Sequence, residues 1–271
     1  MSTPQALRKS IIYMTYYSKS SHVGSCLSIV DILYTLFFRV LNIDPENPKK
    51  MDRDKFILSK AHGSAALYAT LAERGFFPKE YLNKYWIDNG ILPGHLDMEA
   101  VAGIEVSAGS LGHGLSIGVG MAIANKQMKN TGKIYVLLGD GECNEGSVWE
   151  AIMLASTLKL DNLTAIVDFN KLQGFGRTNE VINQGNMAER WKAFAWEAYE
   201  VDGHKIEELE ENFKLPQKGP KVVIAHTVKG KGVSFMEDKL EWHYKSLNEE
   251  ELKLALRELC QGETQCISRE I

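Results

Sequence analysis

Four short apolar runs set the terms on which this chain can fold: KFILS at 55–59, IYVLL at 134–138, LTAIVD at 163–168 and KVVIA at 221–225. Each is too short for an ordinary helix and suits a strand buried on both faces, as in parallel sheets. The segments between them read as helices at residues 4–20, 27–41, 65–76, 114–129, 145–159, 187–197 and 248–260. Strands alternating with helices predict an α/β fold, a parallel sheet flanked by helices on both faces. No internal repeat or low-complexity linker divides the chain; PQKGP at 216–220 reads as a turn into the last strand, and EELEE at 207–211 as a solvated helix face.

With 271 residues, 44% of them hydrophobic and 24% charged, the chain has material for one large core. A formal net charge of -4, with both signs mixed along the chain, leaves no basic footprint for nucleic acid. The N-terminus has no apolar signal core, and the most apolar stretch, at 27–41, is interrupted by Asp31 and Arg39. Neither secretion nor a membrane span is expected, and the cytoplasm is the expected compartment. Cys26, Cys143, Cys260 and Cys266 match neither zinc-site nor CxxC spacing and are expected to be free thiols.

The run 134–138 leads directly into GDGECNEG, residues 139–146. Glycines on both sides of Asp140 let the backbone turn sharply and approach another body closely. Ligands of α/β sheets bind at the carboxyl ends of strands, and a helix starting near Glu145 aims its amides at the same place. An anion such as phosphate suits those amides, but a carboxylate facing phosphate needs a cation between them. Mg²⁺, with about six oxygen ligands, often joins a protein carboxylate to phosphate oxygens. The neighbouring strand offers a second ligand, Asn170, which follows Asp140 by 170 − 140 = 30 residues.

That pairing resembles the thiamine-diphosphate motif, and residues 147–171 between and around it resemble the transketolase family in particular. Further similar segments follow in family order: SSHVG around His22, LSKAHGSAALYATL at 58–71, PGHLD at 93–97, VSAGSLGHGLSIGVGMAIA at 106–124, VKGKGVSFME at 228–237 and EWHYKSLNEEEL at 241–252.

The resemblance implies the diphosphate-binding domain of the thiamine-diphosphate-binding fold, with Mg²⁺, or Ca²⁺ or Mn²⁺ in its place, held by Asp140, the side-chain oxygen of Asn170 and the carbonyl of Leu172. It also implies that Gly141 donates its amide to the diphosphate, with His62 and His243 close by. Gly109, Ser110 and Leu111 match the segment beside the cofactor's aminopyrimidine, and His22, His95 and His243 match residues around the reacting hydroxyls and carbonyl. Glu145 matches an acid near the family's subunit contact, or is simply a charge at a helix N-terminus. The implied reaction transfers a two-carbon ketol unit from a ketose to an aldose, using a carbanion supplied by the cofactor. Histidines titrating near neutrality suit its proton transfers, and a poorly hydrated cleft protects it.

The chain departs from the family pattern at several points. His113 stands where Gln is usual, and no proline follows the histidines of HVG and GHLD. Gly174-Phe175-Gly176-Arg177 replaces a short acidic turn, so that Arg177 either meets an unusual acceptor or is a solvated loop residue. Cys143 reads as a bystander. The family has three regions, and this chain resembles only the diphosphate-binding one over its 271 residues. The pyrimidine-binding region, with the glutamate that activates the cofactor, and the C-terminal region are expected on a partner chain, in an α₂β₂ assembly acting on sugars or sugar phosphates. The residues leave open the α subunit of a 2-oxoacid dehydrogenase, a non-catalytic cofactor-binding regulatory half, and a piece of a longer enzyme.

Overall fold

The computed structural model describes residues 3–260. Five parallel strands form one sheet: β1 (Lys55–Leu58), β2 (Ile134–Gly139), β3 (Leu163–Phe169), β4 (Glu197–Asp202) and β5 (Lys221–His226), in spatial order β1-β2-β3-β5-β4. Among the described residues ten α-helices accompany them: α1 (Pro4–Tyr17), α2 (Val23–Ser28), α3 (Val30–Thr35), α4 (Ser64–Arg74), α5 (Gly114–Gln127), α6 (Gly146–Thr157), α7 (Thr178–Val181), α8 (Met187–Ala193), α9 (Ile206–Lys214) and α10 (Glu249–Leu259).

The strands' two-residue period divides the core. Tyr135 and Leu137 of β2 face a cluster built with α1 to α4, α9 and α10, while Ile134, Val136 and Leu138 face a second cluster built with α5, α6 and α8. Both faces of the sheet are therefore covered, as the unbroken apolar runs require, and the expected fold class holds.

Three expectations need correction. Residues 197–202 form β4, an edge strand that was not expected: the helix expected at 187–197 ends at Ala193, and no element was assigned to 198–202. The run Glu-Ala-Tyr-Glu-Val-Asp carries charges because all of it except Val201 retains some exposure, and its pattern is too weak to announce a strand. The expected helix at 27–41 begins earlier, breaks at Ile29 and ends in a π turn at Leu36–Val40. At the break, the Ser28 hydroxyl donates to Asp168 Oδ1 at 2.6 Å, so a buried polar contact accompanies the loss of helical regularity. Cys26 and Cys143 are free and buried, but Cys260 is disulfide-bonded; spacing rules for zinc and CxxC do not test other pairings. Cys266 lies outside the described residues.

The turn at 216–220 leads into β5 as expected, and α9 buries Leu209 and Phe213 while turning its glutamates outward. No helix among the described residues is long and apolar enough to cross a membrane.

Candidate active site

A cleft of about 500 Å³ lies at the carboxyl ends of β2, β3 and β5. It brings together His22, His62, His95, Gly109, Leu111, Asp140, Gly141, Glu145, Asn170, Leu172 and His243, segments separated by more than two hundred residues in sequence. Ser110 lines an adjoining depression with Gly109 and His113.

The floor is built from strand ends. Asp140 follows β2, where its Oδ1 accepts the Gly141 amide at 2.7 Å and its Oδ2 accepts the Lys171 amide at 2.8 Å and the Thr178 hydroxyl at 2.7 Å. The Gly141 amide, expected to face a diphosphate, is thus turned to Asp140 in this structure. Asn170 follows β3; its Nδ2 donates to Asp168 Oδ2 at 2.9 Å, and its Oδ1 accepts the Leu172 amide at 3.0 Å. Because Asp168 accepts from the nitrogen, the amide's oxygen is turned the other way, where it has a second lone pair beside the one the Leu172 amide engages.

Asp168 is fully buried and takes Lys60 Nζ at 2.5 Å, in addition to the hydroxyls of Ser28 and Thr227. Burial alone would raise its pKa, but the Lys60 charge and these donors outweigh burial and lower it. For Asp140 the balance reverses. Burial, reinforced by Asp168, holds its carboxyl above the usual range despite hydrogen bonds from Thr178 and Gly141. A cation beside Asp140 would relieve that strain.

Four histidines form one wall. Ring centroids of His22 lie 5.3 Å from His62, 6.4 Å from His95 and 5.1 Å from His243, and His62 and His243 are 5.6 Å apart. His22 holds its place in the left-handed region, at φ 71°, and its amide donates to the His243 carbonyl at 2.9 Å. Such backbone strain in a non-glycine residue persists only where its surroundings impose it.

Lys229 completes the wall from below, its Nζ 2.8 Å from the Leu172 carbonyl and 2.9 Å from His243 Nδ1. Burial, then His95, Lys229 and Lys60, lower the His22 pKa to about 4; burial, then Lys229, His22 and Lys60, lower that of His243 to about 3. His62 is likewise held well below its usual value, chiefly by burial. The expectation of titration near neutrality therefore fails for His22 and His243, because the wall is buried beside two lysines. An anionic ligand would raise all three.

Other expected residues settle into plain roles. His113 Nδ1 approaches the Leu111 carbonyl at 3.0 Å within its own turn. Arg177 makes a two-pronged exposed ion pair with Asp238, at 2.5 and 2.7 Å, the solvated reading of that residue. Cys143 is buried, with Sγ 3.4 Å from the Gly139 carbonyl. Glu145 is the N-cap residue of α6, but its side chain makes no capping hydrogen bond.

Sequence reasoning gave no role to Lys60, Lys229, Asp168 or Glu142. Glu142 is buried and accepts the Ser59 hydroxyl and the amides of Gly112 at 2.9 Å and Gly139 at 3.0 Å, tying the 109–114 segment to the end of β2. Both lysines stand inside segments noted for their motifs, which was the available signal.

These residues fit both a divalent cation and a diphosphate. Carboxylate, carboxamide and backbone oxygens are hard donors of the kind Mg²⁺ and Ca²⁺ take. Among the described residues no cluster of three or more His, Cys, Asp or Glu could hold a metal, so a cation here would combine the Asp140 carboxylate with amide, backbone and ligand oxygens. Lys60, Lys229 and the imidazoles line the same cleft as the donors an anion needs.

Fold and site together define an α/β domain that binds a phosphorylated cofactor at its strand ends. Residues 5–267 match the transketolase family's thiamine diphosphate binding domain. The chain is 44% identical over 255 residues to one of the subunits of an apulose-4-phosphate transketolase from Phocaeicola vulgatus, covering 93% of this chain and 90% of that one. It is also 44% identical over 241 residues to a 6-deoxy-6-sulfo-D-fructose transketolase subunit of a Clostridium species, covering 88% of each. The solved transketolase from Leishmania mexicana superposes with a TM-score of 0.91 at 25% identity, over 100% of this chain and 43% of that one. The chain belongs to the transketolase family.

Proposed function

We propose that this chain is the N-terminal, thiamine-diphosphate-binding and Mg²⁺-binding subunit of a two-chain transketolase, transferring a two-carbon ketol unit from a ketose to an aldose. The observation that carries this reading is the convergence of Asp140, Asn170 and Leu172 with His22, His62, His95 and His243 in one cleft. Asp140, Asn170 and Leu172 hold the metal, with Ca²⁺ or Mn²⁺ able to substitute. His62, Gly141 and His243 hold the diphosphate, and Gly109, Ser110 and Leu111 flank the aminopyrimidine. When bound, the cofactor supplies the carbanion equivalent that accepts and releases the ketol unit. His22, His95 and His243 move protons at the substrate's oxygens, while Glu145 stands at the subunit contact.

Residues 1–271 are proposed as a single diphosphate-binding domain in the cytoplasm, with pyrimidine-binding and C-terminal domains on a partner in an α₂β₂ assembly. An open cleft supports this, as does the neighbouring surface. Ile117 on α5, Met153 and Leu154 on α6 and Leu158 at its end are exposed apolar side chains, available to a protein contact. The two relatives named for a phosphorylated and a sulfonated ketose support a sugar or sugar phosphate as donor.

Two-carbon transfer measured for this chain, the partner and their mixture tests the reading, after each is confirmed folded. Only the mixture is expected to turn over, with the two chains in equal numbers. Substantial turnover by this chain alone would overturn the split-enzyme reading, because an activating acid would then have to lie within it.

A further inference from the structure

We propose that Asp31 is a positioning residue for the cleft: through His204 and Arg8 it grips the backbone on both sides of Lys229 and fixes where the Lys229 amine stands. The proposal rests on the thiamine-diphosphate reading above for what that amine meets.

Lys229 belongs to the irregular segment after β5, which has no strand ladder to hold it. Backbone bonds hold part of it, with the Asp238 amide donating to the Lys229 carbonyl at 2.8 Å, and side chains from behind the cleft hold the flanks. The Val228 amide donates to His204 Nε2 at 2.8 Å, and the Lys231 carbonyl accepts from Arg8 Nε at 3.0 Å. Both arms return to a single atom: Asp31 Oδ2 accepts Arg8 NH2 at 2.6 Å and His204 Nδ1 at 2.7 Å. Since Nε2 accepts an amide proton, His204 is a neutral imidazole whose proton sits on Nδ1.

The approach is built closely. Gly232 sits at φ +95°, and a Cβ there would come within 2.8 Å of Arg8 Cδ. On the cleft side, a Cβ on Gly24 would come within 3.2 Å of Lys229 Cγ, and the Gly230 amide donates to the Gly24 carbonyl at 2.9 Å. Arg8 on α1, Asp31 on α3 and His204 after β4 all stand behind the cleft without lining it.

Burial pushes the Asp31 carboxyl up, but the His204 hydrogen bond and the Arg8 charge outweigh it and keep the group ionised. A buried ion pair of this kind is a poor source of net stability, because desolvation offsets most of its attraction. What it supplies is direction: the backbone from which Lys229 Nζ reaches the Leu172 carbonyl and His243 Nδ1 is held on both sides.

Calorimetric titration of thiamine diphosphate into the assembled two-chain enzyme, with Mg²⁺ present, tests this with H204L, H204Q, K229M and the H204L/K229M double variant. Glutamine can donate to Asp31 and accept from Val228, so H204Q should bind the cofactor nearly as wild type does. Leucine can do neither, and H204L should weaken binding roughly tenfold, the scale of losing a hydrogen bond near a charge. Acting through Lys229, H204L should add little once Lys229 is already methionine. Losses that multiply independently in the double variant, or H204Q as weak as H204L, would overturn the clamp. So would affinity that merely follows melting temperature across the set. Absence of cofactor binding by the wild-type assembly is a different outcome: it defeats the cofactor reading and takes this inference with it.

Discussion

The floor and the wall of the cleft are built on opposite principles. On the floor nearly every polar group is already bonded within the chain: Asp168 to Lys60, Ser28, Thr227 and Asn170, and Asp140 to Gly141, Lys171 and Thr178. The wall is only half bonded: His243 Nδ1 meets Lys229 Nζ and His22 Nδ1 meets Ser21 Oγ at 3.1 Å, but no imidazole hydrogen bond joins His62 or His95 to another described residue, although the rings lie within contact of their neighbours. Floors so constrained offer fixed geometry to a resident group; walls with free nitrogens can exchange partners as a substrate changes. The rim is freer again, with Phe175 85% and Tyr244 58% exposed, surface that closure by another chain would cover.

The largest expected effect comes from breaking the floor. Asp140→Ala should abolish Mg²⁺-dependent binding of thiamine diphosphate by the assembled enzyme, since it removes the one carboxylate of the donor set and frees the Lys171 amide and the Thr178 hydroxyl. Calorimetry with Mg²⁺ verified, beside circular dichroism to establish folding, checks it. Near wild-type affinity in a folded variant would remove Asp140 from the metal site.

Breaking the wall should leave binding largely intact and damage turnover. His95 neighbours His22 and Trp86, with ring centroids at 6.4 and 6.3 Å, and lines the cleft without bonding to the floor. His95→Ala should lower kcat on the order of 10²-fold while changing cofactor affinity far less, the pattern of a group acting on the reacting atoms. Unchanged kcat with weakened cofactor binding would place His95 on the floor's side of the comparison.

The same contrast explains what could be read without the fold. Buried strands declare themselves by unbroken apolar runs, so β2, β3 and β5 were legible, and with them the positions of Asp140 and Asn170 at their ends. β4 was not, because an edge strand with partly exposed faces has no such run. Individual histidines were legible through the segments around them. Their environment was not: Lys60 and Asp168 meet across 108 residues, and nothing local to either marks a buried ion pair. The left-handed turn at His22 and the break beside Ser28 likewise express contacts with residues far along the chain.

The smallest expected effect is on the pH dependence of stability, where the wall histidines and two carboxyls of the floor, Asp140 and Glu142, should pull in opposite directions, while Asp168, held down by Lys60, sides with the wall. His22 and His243 titrate at about 4 and about 3 in the folded chain, against 6.5 when unfolded. As pH falls below about 6.5 the unfolded chain takes up protons that the folded chain refuses, so the wall's contribution is present above that pH and is lost toward about 4. Asp140 and Glu142 behave in reverse, because burial raises both above their usual values. They bind protons first in the folded chain, which gains stability as pH falls through their folded pKa values. Melting temperatures between pH 7 and 4 should therefore fall less steeply for a His22→Gln, His243→Gln double variant than for wild type, because the opposing contribution from Asp140 and Glu142 remains. Parallel curves for the two proteins would show that the wall histidines carry no linked protons, and would remove the electrostatic half of the contrast between wall and floor.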